Sequence, residues 1–442
     1  MNRWNSSITA WLFLLPLISL IPAAYAAEDT SYSIEQTQAV LPLDIAIALA
    51  EQSNPGLAQR QARAEAMSAL PSQLGSLPDP MFSMGLVNLP TDSLNTSQEA
   101  MTQWQLGISQ EIPFPGKLAL KQQAATERAS ASEFMTTEYK QQLIKSITSY
   151  WWQLFYLEKT LTIISSNKTL LKQFIDIAET KYRVGHGLQQ DVLLAQLELS
   201  KLLNREIELN SQREQLVITL NTLLSRPTHT PIQLPDFQDI DTTLPDIKSA
   251  AEILHLAKQN RPFLQQQKHL IAAAAEDKAL AEKNVLPDFK VSAAYGLRQG
   301  NNLDGSDRSD MLSLQVGINV PLFAYKKQKM AISQKNSELK QQQFAYQDSW
   351  NQVQAEIANY MTQYEQARQQ YSLLNTGILP QARQTIASML SGYQVNKVDF
   401  LNLVRAQITL YDYETQLWLS VKTAKTALAN LKASVGKDTF YE

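Results

Sequence analysis

Two different periods of apolar residues share this chain. In four short stretches every second residue is apolar. Phe82, Met84 and Leu86 alternate with Ser83 and Gly85, and Trp104, Leu106 and Ile108 alternate with Gln103, Gln105, Gly107 and Ser109. Later, Val291, Ala293, Tyr295 and Leu297 alternate with Ser292, Ala294, Gly296 and Arg298, and Leu312, Leu314, Val316 and Ile318 alternate with Ser313, Gln315, Gly317 and Asn319. Strict alternation predicts strands. The first pair is joined by a polar loop, 90–100, and the second by Gly300 to Asp310. The polar partners are Gln, Ser, Asn and Gly more than the Lys and Glu of an exposed soluble sheet. Apolar residues on one face and small polar ones on the other fit a membrane β-barrel, although one such hairpin alone fits a soluble half-buried sheet better.

Elsewhere the spacing is three and four. No glycine or proline occurs from Lys117 to Val184, and Pro115-Gly116 and Gly185-His186-Gly187 bracket the run. Such punctuation predicts one very long helix, which at about 1.5 Å per residue reaches roughly 100 Å. Leu143, Ile147, Tyr150, Trp151, Leu154, Leu157, Leu161 and Ile164 supply its apolar face. A second helix starts at Gln189, and Val192, Ala195, Leu199, Leu202, Leu209, Leu216, Leu220 and Leu223 form a coiled-coil seam interrupted by Glu206 and Arg213. Together they predict a long αα-hairpin. A proline-rich linker, Arg226 to Pro245, follows.

The order then repeats. A helix broken at Asn54-Pro55 has its echo at Arg261-Pro262, and Leu77-Pro78-Asp79 at Leu286-Pro287-Asp288. Pro321-Leu322-Phe323 echoes Pro113-Phe114 before another long helix, with an expected break from Gly377 to Pro380. The last seam runs through Leu403, Ala406, Leu410, Tyr413, Leu417, Ala424, Ala427 and Leu431. Tyr182, Val184, Ala195 and Gln196 recur as Tyr393, Val395, Ala406 and Gln407 at one constant offset. The chain reads as a tandem duplication, with repeats over residues 27–245 and 246–442. The fold class is mainly α with a membrane β-barrel portion.

Four strands cannot close a barrel, and lipid tolerates no open sheet edge. Membrane barrels start at about eight strands, so copies must combine. A dimer supplies eight strands with a filled interior. A trimer supplies twelve and room for a passage, and is the favoured arrangement. Gln103, Gln105, Ser292, Arg298, Gln315 and Asn319 would then line the pore.

Composition adds an address. Arg3, the apolar run Trp11 to Ile21 and Ala24-Tyr25-Ala26 predict a cleaved signal peptide over residues 1–26. Cysteine is absent, which removes disulfides, thiolate metal sites and an acylated N-terminal cysteine. Of 442 residues 44% are apolar and 18% charged, with a net charge of −3, so there is no basic footprint for nucleic acid. No nucleophile elbow or phosphate loop suggests an enzyme. His186, His229, His255 and His269 are scattered without ligand spacing, so neither a metal site nor a cofactor is expected.

Tyr182-Arg183-Val184-Gly185 with Asp191-Val192-Leu193, and Gly392-Tyr393 with Asp399-Phe400-Leu401, within the duplicated strand–strand–hairpin plan, resemble the TolC family of outer membrane efflux proteins. Leu77-Pro78-Asp79-Pro80-Met81, Asn88-Leu89-Pro90 and Gln110 to Lys117 resemble most the branch serving heavy-metal resistance-nodulation-division pumps. The resemblance implies a homotrimer. A twelve-stranded barrel would sit in the outer membrane of a Gram-negative cell on a periplasmic α-helical barrel. It would dock on a periplasmic adaptor and an inner-membrane pump, and conduct metal cations, drugs or a secreted protein without supplying energy. The rival reading from another class is a periplasmic coiled-coil adaptor.

The resemblance also implies sites at the hairpin tips. Val184, Gly185, His186, Gly187 and Leu188, with Val395, Asn396, Lys397 and Val398, would meet the adaptor. Asp191 matches a linking aspartate of the periplasmic gate, while Asn402 and Arg405 stand where well-studied members carry rings of aspartate. Asp191 is expected to pair with Lys397 or Arg405.

Overall fold

The computed structural model describes residues 40–437 and residue 441, so the signal segment lies outside the described residues. The longest element is the expected one. Helix α4, Lys117–Arg183, starts after a left-handed Gly116 (φ 90°) and ends where Gly185 (φ 74°) turns the chain into α5, Gln189–Leu223. Upstream lie α1 (Leu43–Ser53), α2 (Pro55–Ser68), a short α3 (Leu70–Gly75), β1 (Met81–Val87) and β2 (Gln103–Ile112). Pro71 stands in the first turn of α3, where a proline is tolerated. The second repeat follows the same order: α6 (Ala250–Asn260), α7 (Pro262–Lys283), β3 (Phe289–Arg298), β4 (Met311–Ile318), α8 (Gln328–Leu373), α9 (Leu379–Gln394) and α10 (Phe400–Val435).

The break expected from Gly377 to Pro380 is a correction. The helix continues through a π turn, Leu374–Ile378, closed by the Leu379 amide on the Leu374 carbonyl. Pro380 has no amide to donate and its ring crowds the preceding turn. One wider turn absorbs the misfit without ending the rod.

In the tip half, α4 packs against α5 and α10; in the barrel half it packs against α2, α3 and α7, and α10 packs on α8. Ile147, Leu154, Phe155 and Ile164 on α4 are fully buried, whereas Tyr150, placed on this face by its spacing, is 38% exposed. At the waist Trp151, Trp152, Phe237 and Trp418 surround Phe155 with ring centroids 5.1–6.3 Å away. Glu206 and Arg213 turn out not to be mere interruptions of the seam. Lys168 on α4 pairs with Glu206 at 2.6 Å, and Glu158 with Arg213 at 2.6 Å, so both clip α5 to α4. The kinks at Pro55 and Pro262 are anchored by the residue before each. Asn54 donates to the Leu223 carbonyl at 2.9 Å, and Arg261 reaches Glu356 at 2.8 Å.

The four strands form one antiparallel sheet in the order β1-β2-β3-β4. Phe82, Ile108, Ala293 and Leu314 lie in one row across it, as do Met84, Leu106, Tyr295 and Leu312. Phe82, Met84, Leu312, Leu314 and Val316 are 68–78% exposed. A continuous apolar face without protein cover suits lipid. β1 and β4 each keep an unpaired edge within the chain.

Candidate functional site

The hairpin tips and the polar face of the sheet carry the candidate residues. At the first tip the Gly185 amide bonds to Tyr182 O at 3.1 Å and the His186 amide to Lys181 O at 2.8 Å. The second tip repeats this closure: Asn396 N to Tyr393 O at 3.1 Å and Lys397 N to Gly392 O at 2.8 Å. Asn396 adopts the left-handed conformation (φ 59°) that Gly185 takes in the first, a role asparagine fills more readily than most residues. A close approach inside each tip is solved in opposite ways. A Cβ on Gly187 would lie 2.9 Å from Lys181 Cβ, and a Cβ on Gly392 would lie 2.6 Å from Val398 Cγ2. The small residue is in the turn at one tip and on the helix at the other.

Val184, Leu188 and Val395 are 61%, 58% and 63% exposed, so three large apolar side chains crown the tips. His186 and Lys397 are exposed beside them. Beneath, Phe174, Ala178, Ala195, Tyr393, Phe400 and Leu403 close the end of the bundle.

Asp191 sits in the first turn of α5 and is buried. Burial pushes its carboxyl above the usual range and nearby Asp399 adds to this, against the Leu188 amide and Lys181. The expected pairing with Lys397 or Arg405 is absent among the described residues; the cation acting on Asp191 is Lys181. Lys181 also joins the tips. Its ammonium donates to the Tyr393 carbonyl and to Asn396 Oδ1 at 2.5 Å, and lies 4.1 Å from the Tyr393 ring centroid. It thus caps the carbonyl end of α9, where a cation is favoured. Burial, with Asp191 and Asp399, pushes the Tyr393 hydroxyl up to about 12. That oxygen is buried without a hydrogen-bond partner. Asn402 and Arg405 are exposed on α10 and flank a groove shared with Thr385 and Met389.

Lys181 escaped the sequence reading, as did a buried link farther up the rods. Gln407 Nε2 donates to Asn167 Oδ1 at 2.6 Å, joining α10 to α4. A lysine one turn before a helix-ending glycine was the available signal for the first. No period marks the second.

On the sheet, Gln103, Gln105, Ser292 and Gln315 all fall on the face opposite the apolar one. The Gln103 side-chain amide lies over Gly296, in the space a Cβ there would take. Arg298, last in β3, turns into the loops and donates to Ser309 O at 2.6 Å. Asn319, one residue past β4, accepts from the Asp288 amide at 2.5 Å. Among the described residues no cluster of three or more His, Asp or Glu is placed to hold a metal ion. No helix among them is long and apolar enough to cross a membrane.

The family model described as "Outer membrane efflux protein" matches residues 46–226 and 253–437. The chain belongs to the outer membrane efflux protein family. The two matched segments are the two repeats of a tandem-duplicated channel fold, and the family is one of channels, not enzymes. Its place is the outer membrane, with the helical hairpins in the periplasm. Solved structures share this fold at low identity. VceC of Vibrio cholerae is 18% identical, with 89% of this chain and 96% of that one covered at a TM-score of 0.75. The CmeC outer membrane channel of Campylobacter jejuni is 15% identical, with 90% and 86% covered at 0.75. The open state of the MtrE outer membrane channel of Neisseria gonorrhoeae is 18% identical, with 89% of each chain covered at 0.73. No curated protein matches the sequence significantly.

Proposed function

We propose that this efflux protein is the exit duct of a tripartite pump, with three copies pooling their strands into a twelve-stranded barrel above a tube of helical hairpins. The observation that carries the reading is a sheet with one apolar face, one polar face and two open edges, continuous with rods far too polar for lipid. Gln103, Gln105, Ser292 and Gln315 wet the passage. A periplasmic adaptor docks on the tips, where Val184, Leu188 and Val395 offer exposed apolar contacts and Gly185, His186, Gly187, Asn396, Lys397 and Val398 shape the turns. An inner-membrane resistance-nodulation-division pump supplies the work. The cargo is heavy-metal cations, on the strength of Leu77-Pro78-Asp79-Pro80-Met81 and Gln110 to Lys117. The duct needs no ion site of its own, because the pump selects.

The gate lies at the tips, where Asp191, Asn402 and Arg405 stand near the closure. Lys181 holds the second tip against the first, so docking must break or shift its contacts before the tips can splay. In planar bilayers the purified protein conducts, and Lys181→Met raises the resting conductance while Lys181→Arg does not. Equal conductance in parent and Lys181→Met refutes the latch, and absence of any conductance refutes the duct. A deletion strain scored against copper, silver, zinc, cobalt and drugs tests the cargo. Sensitivity to drugs alone overturns the metal assignment.

A further inference from the structure

The two repeats meet inside the chain at the β2–β3 seam, and that seam shows how one copy meets the next. Below it, Asp288 Oδ1 accepts from the Phe114 amide at 2.7 Å and from Lys117 Nζ at 2.8 Å, and Lys117 also donates to Leu286 O at 2.9 Å. Lys117 is 4% exposed. This lock joins the turn after a second strand to the Leu-Pro-Asp before the next. Each half of it occurs once more in the chain, with no partner strand alongside. Leu77-Pro78-Asp79 precedes the free strand β1, and Asp79 is exposed. The turn after the free strand β4 repeats the first turn's geometry: Lys117 N bonds to Phe114 O at 3.0 Å, and Lys326 N to Phe323 O at 3.0 Å. Phe323 is 74% exposed and Lys326 is exposed with it.

We propose that β4 of one copy pairs with β1 of the next in the register of the internal seam, and that Asp79 of the next copy is received by Phe323 N and Lys326. The inference rests on the reading of the chain as a barrel built from several copies. Ladder geometry fixes the register. One row across the sheet runs Met81, Ser109, Ser292, Gln315. With Asp288 equivalent to Asp79, Ser292 is equivalent to Ser83, so two strands have advanced the row by two residues. At about 3.3 Å per residue and about 4.8 Å between strands, that stagger tilts the strands by about 35°, at the edge of the roughly 35–45° of membrane barrels. The same step continued from Gln315 reaches Gly85 of the next copy. Gly317 then faces Ser83 and Val316 faces Met84. Ser313, Gln315 and Gly317 then meet polar-face positions of β1, and Leu314, Val316 and Ile318 meet Leu86, Met84 and Phe82 on the lipid face. A shift by one residue would break this parity along the whole seam. Leu322, the extra residue between strand and turn, absorbs the difference in spacing between the two halves.

The absence of native cysteine makes the test clean. In outer membranes carrying the full chain, Gln315→Cys/Gly85→Cys is oxidised beside the same-face pairs Gln315→Cys/Ser83→Cys and Gln315→Cys/Val87→Cys. Ser109→Cys/Ser292→Cys serves as the within-copy control. Directly opposite residues lie about 4.5–5.5 Å apart and diagonal ones about 7–8 Å. The Gly85 pair should therefore give covalent multi-copy bands several-fold more strongly than either neighbour. A second arm reads the lock. Asp79→Lys and Lys326→Asp should each weaken the detergent-resistant oligomer, and the double exchange should restore it. Dominant cross-linking at Ser83 or Val87, or no restoration by the double exchange, overturns the proposed seam. If every pair fails between copies while the within-copy control closes, it is the multi-copy duct that fails.

Discussion

Gln407→Leu is the sharpest test of how the rods are held together. Gln407 and Asn167 are each 3% exposed and joined at 2.6 Å across α10 and α4. The substitution removes one neutral hydrogen bond and strands Asn167 Oδ1 in the interface. Leaving a buried acceptor unsatisfied costs about 1–3 kcal/mol. The pair borders a cleft of about 230 Å3 lined by Leu171, Leu202 and Ile408. Water entering there can partly replace the lost donor, so the loss falls nearer 1 than 3 kcal/mol by the same figures. Asn167→Leu strands the Gln407 amide instead and weakens the packing similarly. Its own bond to Ile163 O at 2.9 Å lies within one helix and adds little. The Asn167→Leu/Gln407→Leu double variant buries two apolar groups with nothing left unpaired, so most of the stability returns. Denaturant unfolding of the detergent-solubilised protein, followed by tryptophan fluorescence, reads all four members of the cycle. A double variant that loses the sum of both singles would refute the reasoning, because it would mean the two side chains act independently.

Asp191→Asn should stabilise the tip at neutral pH. The folded carboxyl is raised by burial above its unfolded value, so the folded state binds more protons, and its stability falls as pH climbs from about 4 through the raised value. The difference in urea midpoint between variant and parent should close as pH is lowered; a pH-independent difference contradicts the assignment. Leu314→Arg places a charge on the lipid face, costing about 2–4 kcal/mol near mid-bilayer, and should deplete the protein from outer membrane fractions. Gln315→Arg, on the opposite face, should insert normally and change single-channel conductance. Gly187→Val should disorder the first tip and open it to protease, because an added Cβ would lie 2.9 Å from both Lys181 Cβ and the Tyr182 backbone nitrogen.

Repetition made the fold legible. Period-two stretches, a long run free of Gly and Pro, and paired Leu-Pro-Asp motifs are local signals, and the structure places strands and rods where they fall. Hidden were the features set by contact between distant residues. Glu206 and Arg213 look like flaws in a seam until Lys168 and Glu158, far back in α4, are set against them. Pro380 reads as a helix stop because the sequence cannot show that a π turn will absorb it. The sequence sets Asp191 against Lys397 or Arg405 of the second repeat, whereas the cation that acts on its carboxylate, Lys181, comes from the preceding helix of the same tip and spends its own hydrogen bonds on Tyr393 and Asn396.

The repeated motif itself shows why a site is harder to read than a fold. Ala195-Gln196 and Ala406-Gln407 are the same dipeptide at equivalent positions, yet Ala195 is fully buried with Gln196 exposed, and Gln407 is buried with Ala406 only half covered. α5 lies chiefly against α4, with only a slight contact to α10, so one apolar edge suffices, and Leu193, Leu197 and Ile207 stay 53–69% exposed on its other side. α10 is wedged between α4 and the α8–α9 rod and must satisfy both, which turns its glutamine inward to Asn167. Duplication preserved the local code while the surroundings of the two copies diverged. The tip followed the same course, with one close approach relieved by Gly187 and the other by Gly392. Two halves with the same backbone therefore carry different chemistry: Lys181 is a cation in the first repeat, whereas its counterpart in the second is Gly392, which has no side chain to reach across. The lysine bridge between the tips therefore runs only from the first hairpin to the second, and that one-way dependence is what makes Lys181 the residue to change.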